Sequence, residues 1–110
     1  MERFVKGDIV VLPFPFADLS AAKKRPALIL SVLQEDDLIL VQITSKVKND
    51  DYSVSLDDKD FKHGKLNKSS NIRPNRIFTA EKSIIDYKIG LVKEQKINEV
   101  IDKLVEIIRM

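Results

Sequence analysis

Near the C-terminal end of the chain the apolar residues fall at Ile97, Val100, Ile101, Leu104, Val105 and Ile108. That spacing follows i, i+3, i+4, i+7, i+8 and i+11, which a helix gathers into one stripe and a strand scatters over both faces. No upstream segment repeats it. The chain therefore changes period once, just after Gly90, and this change constrains the fold more than any other feature. A run of short strands closed by a single helix over Lys93 to Met110 is the expectation.

Upstream, Asp8 to Leu12 follows the Lys6-Gly7 turn signal and stops at Pro13. Phe14-Pro15-Phe16 is excluded from a central strand, because each proline removes a ladder donor. Ala27 to Leu33 is almost continuously apolar and has the length of a buried strand. The polar triplet Glu35-Asp36-Asp37 turns the chain into a second β-branched run, Leu38 to Thr44, so these two segments read as a hairpin. Tyr52 to Leu56 alternates with the period of a half-wet strand, and Asn71-Ile72-Arg73 and Arg76 to Ala80 are shorter candidates. The polar stretch from Asp57 to Ser70, with Gly64 inside it, reads as loop. Five or more short strands at regular spacing in so short a chain favour a compact barrel over a sandwich.

At 110 residues there is room for one domain, spanning 1–110. With 44% hydrophobic and 33% charged residues, the chain is too apolar to be a disordered tail. It contains no cysteine, which excludes disulfides, zinc-thiolate sites and a cysteine nucleophile. The opening residues offer no apolar signal segment and no run is long enough to span a membrane, so a cytoplasmic protein is expected. There is no H-E-x-x-H motif, no phosphate-binding glycine loop and no dinucleotide fingerprint.

Three constellations could carry chemistry. In Lys23-Lys24-Arg25-Pro26 the proline biases Arg25 towards an extended backbone and holds a planar guanidinium where it can grip two phosphate oxygens. The same run also reads as a solvated basic loop with a structural Arg-Pro step. Gln42-Ile43-Thr44-Ser45-Lys46 places two hydroxyls and a lysine where an apolar strand ends. These can donate to a phosphate, or simply satisfy local backbone groups. Between Phe61 and Lys82 the cations Lys62, Lys65, Lys68, Arg73, Arg76 and Lys82 face only Glu81, after a stretch holding Asp50, Asp51, Asp57, Asp58 and Asp60. That polarity suits a surface that follows a phosphate backbone, or a self-compensating pair of loops. His63, the only histidine, has the intrinsic pKa for proton transfer but no orienting carboxylate nearby in sequence, and reads equally as a surface residue.

In their order these segments resemble the MazF/PemK family of toxins. The residues that carry the resemblance are Lys6-Gly7-Asp8-Ile9-Val10, Phe14-Pro15-Phe16, Lys24-Arg25-Pro26-Ala27-Leu28-Ile29-Leu30 and Gln42-Ile43-Thr44-Ser45-Lys46. Ser70-Asn71-Ile72-Arg73-Pro74, Ile77-Phe78-Thr79 and Gly90-Leu91 follow, and the Phe-Pro-Phe and Ser-x-Ile-Arg-Pro variants are similar to the PemK-like branch. Two departures stand out: Ser20-Ala21-Ala22-Lys23-Lys24 replaces a Glu-Gln-x-Gly approach, and Asn75 stands where some relatives carry an acid.

The resemblance implies an SH3-like small β-barrel with a C-terminal helix, acting as a homodimer. It further implies a toxin of a type II toxin–antitoxin system that cuts single-stranded RNA without metal or cofactor, leaving a cyclic phosphate and a 5′-hydroxyl. The implied partner is a cognate antitoxin with a disordered C-terminal tail. The implied catalytic residues are Arg25 and Thr44. Lys23, Lys24, Ser45, Lys46, Arg73, Asn75 and Arg76 are the expected RNA contacts. Apolar surface at Phe14 to Phe16 and along the helix stripe adds to the expectation of a dimer. Two other readings fit the same fold: a gyrase-poisoning toxin, and a non-catalytic module that binds nucleic acid or peptide.

Overall fold

The computed structural model describes residues 3–14, 23–46 and 50–110. Seven strands, β1 (Asp8–Phe14), β2 (Lys23–Val32), β3 (Asp37–Thr44), β4 (Val54–Leu56), β5 (Phe61–Gly64), β6 (Ser70–Glu81) and β7 (Tyr87–Val92), precede one helix, α1 (Glu94–Ile108). They form one curled antiparallel sheet in the order β4-β6-β3-β2-β1-β7-β5. The expected architecture, mainly β with a closing C-terminal helix, is the one observed.

The nearly continuous apolar runs have a direct cause. Successive residues of a strand face opposite sides of the sheet, and here both sides are covered. Leu28 and Leu30 of β2, with Val41 and Ile43 of β3, join Ile9, Ile72, Val92, Ile97 and Val100 in one cluster under the helix. Ala27 and Ile29, with Leu38 and Leu40, join Val10, Leu12, Phe14 and Ala80 in a second cluster on the other face. A strand buried on both faces loses the polar alternation that usually marks it.

Each described proline sits where one neighbouring ladder is missing. Pro26 faces Val11 of β1, but the ladder between β2 and β3 begins only at Ala27. Pro13 faces Lys24, and the ladder between β1 and β7 does not extend past Val11. Pro74 lies in an interruption of the β3–β6 ladder, where Gln42 faces Arg73 while the next residue back, Val41, faces Ile77. Pro74, Asn75 and Arg76 therefore bulge out of β6, and no backbone donor is lost.

Some expectations shift. Phe14 belongs to β1, facing Lys23, and is only 7% exposed; its ring meets Phe78 edge-on at 5.0 Å. It therefore offers no free apolar surface, while Pro15 and Phe16 lie outside the described residues. Asn71–Arg73 and Arg76–Ala80 are two halves of one strand, β6, split by the bulge. The polar stretch 57–70 contains a strand, β5, paired to β7. Helix α1 packs on β6 and β4. Its N-terminal half buries Ile97 and Val100, whereas Val105 and Ile108 of the expected stripe are 42% and 70% exposed.

Candidate active site

Strands β2, β3 and β6 lie side by side, and their antiparallel register brings the start of β2, the end of β3 and the start of β6 to one end of the sheet. One row across them is Ala27, Gln42 and Arg73. Two residues outward along β2 and β3 stand Arg25 and Thr44, and Thr44 faces Asn71 of β6. Because alternate residues share a face, Arg25 and Thr44 belong to the same side of the sheet as Ala27 and Gln42. The structure thus brings together the two catalytic candidates, which are nineteen positions apart in sequence.

Lys23, Lys24 and Arg25 are part of strand β2, where the sequence suggested a loop, and all three are exposed. Their partners on β1 are Phe14, Pro13 and Leu12. Lys24 Nζ pairs with Asp86 Oδ2 at 3.3 Å, an exposed contact of small energetic weight. Arg25 makes no ion pair with any described residue, so its charge is open to an anion. The Arg25-Pro26 step sits where the β2–β3 ladder stops, which frees the backbone around the guanidinium from pairing with β3.

Thr44 is half-buried, and its Oγ1 accepts the backbone N–H of Lys46 at 3.2 Å. A hydroxyl has one hydrogen to give; with an acceptor site already filled from behind, that hydrogen is free to point towards a ligand. Asn71 Nδ2 donates to the Lys46 carbonyl at 3.1 Å, so Lys46 is held both at its N–H and at its carbonyl. Ser45 and Lys46 are exposed beyond the strand end, and Asn75 and Arg76 are exposed on the β6 bulge, one step inward from the Gln42 row.

Arg73 differs from the other expected contacts. It is 8% exposed, and its NH1 donates to Asp50 Oδ2 and to Ser53 Oγ, each at 2.7 Å. The hydrogen bond from Arg73 holds the Asp50 carboxyl below the usual carboxylate range, helped by the Tyr52 N–H. His63 lies on the edge strand β5, separated from β2 in the sheet by β1 and β7, and is exposed. Sequence reasoning missed Asp50 and Ser53 as partners of Arg73, because more than nineteen residues separate them and no local spacing announces the pairing.

A small curled sheet with a cationic rim at the ends of three strands defines a class of compact β proteins that present positive charge to an anionic ligand. The chain matches the family profile of PemK-like, MazF-like toxins of type II toxin–antitoxin systems over residues 5–108, and it belongs to that family. No curated protein sequence matches it. Among solved structures it is similar to MazF from Deinococcus radiodurans, at 21% identity with a TM-score of 0.78, covering 100% of both chains. It is also similar to an endoribonuclease from a mycobacterial species, solved in complex with its cognate antitoxin, at 15% identity with a TM-score of 0.77, covering 98% of this chain and 97% of that one. A MazE–MazF complex from Deinococcus radiodurans is similar at 22% identity with a TM-score of 0.75, covering 96% of this chain and 95% of that one. At such identities these likenesses speak to the fold.

Proposed function

We propose that this toxin is a sequence-specific, metal-independent endoribonuclease acting on single-stranded RNA, with Arg25 and Thr44 as its catalytic residues. The observation that carries the reading is their placement on adjacent strands, two residues beyond the Ala27–Gln42 pair, with Arg25 unpaired among the described residues. Transfer needs a 2′-hydroxyl to attack phosphorus while the bond from phosphorus to the 5′-oxygen breaks. Negative charge then builds on the non-bridging oxygens. The Arg25 guanidinium is a planar fork suited to two of those oxygens, and the Thr44 hydroxyl supplies a third donor. The 2′-proton leaves to water and the 5′-oxygen takes one from water, so the products are a cyclic phosphate and a 5′-hydroxyl. A guanidinium stays protonated at ordinary pH, so Arg25 serves charge stabilisation and in-line placement, not proton abstraction.

Lys23, Lys24, Ser45, Lys46, Asn75 and Arg76 surround this pair as exposed RNA contacts, whereas Arg73, expected among them, is buried and paired with Asp50. Two further partners complete the reading: a second copy of the chain, and a cognate antitoxin whose disordered tail lies in the RNA groove. The neighbours solved with an antitoxin support the latter. The test is a gel assay of purified, partner-free protein on a long unstructured RNA in EDTA. Discrete fragments that vanish with Arg25→Ala are expected. Intact RNA under those conditions would defeat the reading, and DNA relaxation assays with gyrase would then test the rival toxin chemistry.

A further inference from the structure

The stretch from Phe61 to Ile72 holds Lys62, Lys65 and Lys68 and no acidic residue. Such a strip can follow a phosphate backbone, or be cancelled by the aspartates that precede it in the chain. In the folded protein those aspartates are directed elsewhere. Asp50 pairs with Arg73 at 2.7 Å. Asp57 and Asp60 turn to each other's backbone in the capping box of the short turn at 58–60, where Asp60 Oδ2 accepts the Asp57 N–H at 2.8 Å. Asp60 also faces the buried Lys96 Nζ at 3.6 Å. Asp51 and Asp58 stay exposed and pair with none of the three lysines. Lys62, Lys65 and Lys68 are all exposed and make no ion pair with any described residue, so the strip is not compensated.

The topology carries this strip to the candidate site. Strand β1 runs towards the end of the sheet where Phe14 faces Lys23, β7 runs back from it, and β5, antiparallel to β7, runs towards it again. The 65–69 connection then delivers the chain to Ser70, and the next residue, Asn71, faces Thr44. Lys68 lies three residues before Asn71, so their α-carbons are at most about 11 Å apart. The connection is held in place: Leu66 packs against the core cluster under the helix, and the Ser70 hydroxyl donates to the Lys68 carbonyl at 3.1 Å. Lys46, whose carbonyl takes the Asn71 amide at 3.1 Å, adds an exposed cation where the strip meets the site.

We propose that Lys62, Lys65 and Lys68 form an accessory track for the phosphate backbone of single-stranded RNA, continuing the path from Arg25 and Thr44 past Asn71 along the 65–69 connection and β5. The inference rests on the proposed nuclease reading for the identity of the polyanion. A lysine is a point charge on a flexible stem, so it neutralises a phosphate without reading a base. The track therefore adds affinity and no sequence preference. It lies to one side of the reacting pair, so it serves only RNA long enough to extend past the cut.

The test compares the natural chain with a triple variant, Lys62→Gln, Lys65→Gln and Lys68→Gln, which changes three exposed side chains and removes no side-chain contact with a described residue. Binding is read by fluorescence anisotropy in the Arg25→Ala background, with labelled unstructured RNAs of about 4 and about 16 nucleotides. On the long RNA the variant lowers the slope of log affinity against log salt by about 2, three contacts at about 0.7 each, and binds roughly 100-fold more weakly at 0.1 M salt. The short RNA binds both proteins alike. With Arg25 in place, KM for the long RNA rises and kcat is unchanged. An unchanged salt slope on the long RNA overturns the inference. So does equal weakening on short and long RNA, which would be a general effect of net charge, and so does an absence of RNA binding by the natural chain. Should the natural protein bind RNA and cut none, the nuclease reading falls, and the slope still decides whether the strip holds a phosphate backbone.

Discussion

At the scale of single residues, the candidate chemistry depends on which hydrogen-bonding groups are already used. Thr44 Oγ1 accepts from Lys46, which leaves its hydrogen as the useful group. Thr44→Val removes that hydrogen and is expected to lower the cleavage rate by about 100-fold, the usual effect of losing one preorganised donor. Thr44→Ser, which keeps the hydroxyl, retains most of the rate; single-turnover cleavage of a short RNA checks both. A Val variant as fast as the natural protein would remove Thr44 from the mechanism. Arg25 and Thr44 stood out in the sequence as an Arg-Pro step before an apolar strand and a hydroxyl at a strand end, but those local features fitted a solvated or structural role equally, and only the family resemblance pointed to catalysis. The Arg73–Asp50–Ser53 contact was not legible, because its partners meet only after β4 and β6 have paired. Arg73 consequently looked like one more exposed cation, whereas the fold buries it to 8%.

At the scale of elements, strands buried on both faces announced themselves as apolar runs; of the two edge strands, β4 showed by its alternation and β5 did not. Strand β5, Phe61-Lys62-His63-Gly64, buries only Phe61, so its composition resembles loop. It pairs with β7 through a close approach of Gly64 to Gly90, where a side chain on either residue would strike backbone of the other strand. Helix α1 was visible from its period, but period alone overstated how much of it the core covers. The sheet supports the N-terminal half, where Ile97 packs over Gly7. Lys96 fastens the same turn by donating to the Ser55 carbonyl and to Glu99 Oε1, each at 2.9 Å. Ile97→Ala is expected to destabilise the fold by about 2–5 kcal/mol, read as a lower urea midpoint. Ile108→Ala, at a position 70% exposed, shifts the midpoint little in the isolated chain. Equal shifts for both would contradict this division of the helix.

For the whole molecule, a formal net charge of +2 conceals an uneven distribution. Lys23, Lys24, Arg25, Lys46 and Arg76 gather at the end of the sheet where β2, β3 and the β6 bulge meet, while Asp50 is turned inward to Arg73. A rim of this kind binds single strands largely by displacing counterions, so affinity falls with salt. Arg76→Ala is expected to reduce the slope of log affinity against log salt by about 0.7, the value for one phosphate contact on a single strand. The readout is fluorescence anisotropy with a labelled RNA and the cleavage-impaired Arg25→Ala background. An unchanged slope would place Arg76 outside the RNA path. The overall curled sheet with its closing helix was readable from pattern because it follows from burial. The open charge of Arg25 and the inward turn of Asp50 follow from register, which pattern leaves undetermined.

The central claim, that Arg25 and Thr44 cut RNA at this rim without a metal, meets its most direct test in the masses of the products formed in EDTA. The purified toxin is incubated with a defined single-stranded RNA and the fragments are weighed. Fragments ending in a cyclic phosphate and beginning with a 5′-hydroxyl, formed by the natural chain and slowed by about 10²–10³ in Arg25→Ala, are the expected result. Intact RNA, fragments with 5′-phosphates, or cleavage that persists at full rate in Arg25→Ala would contradict it.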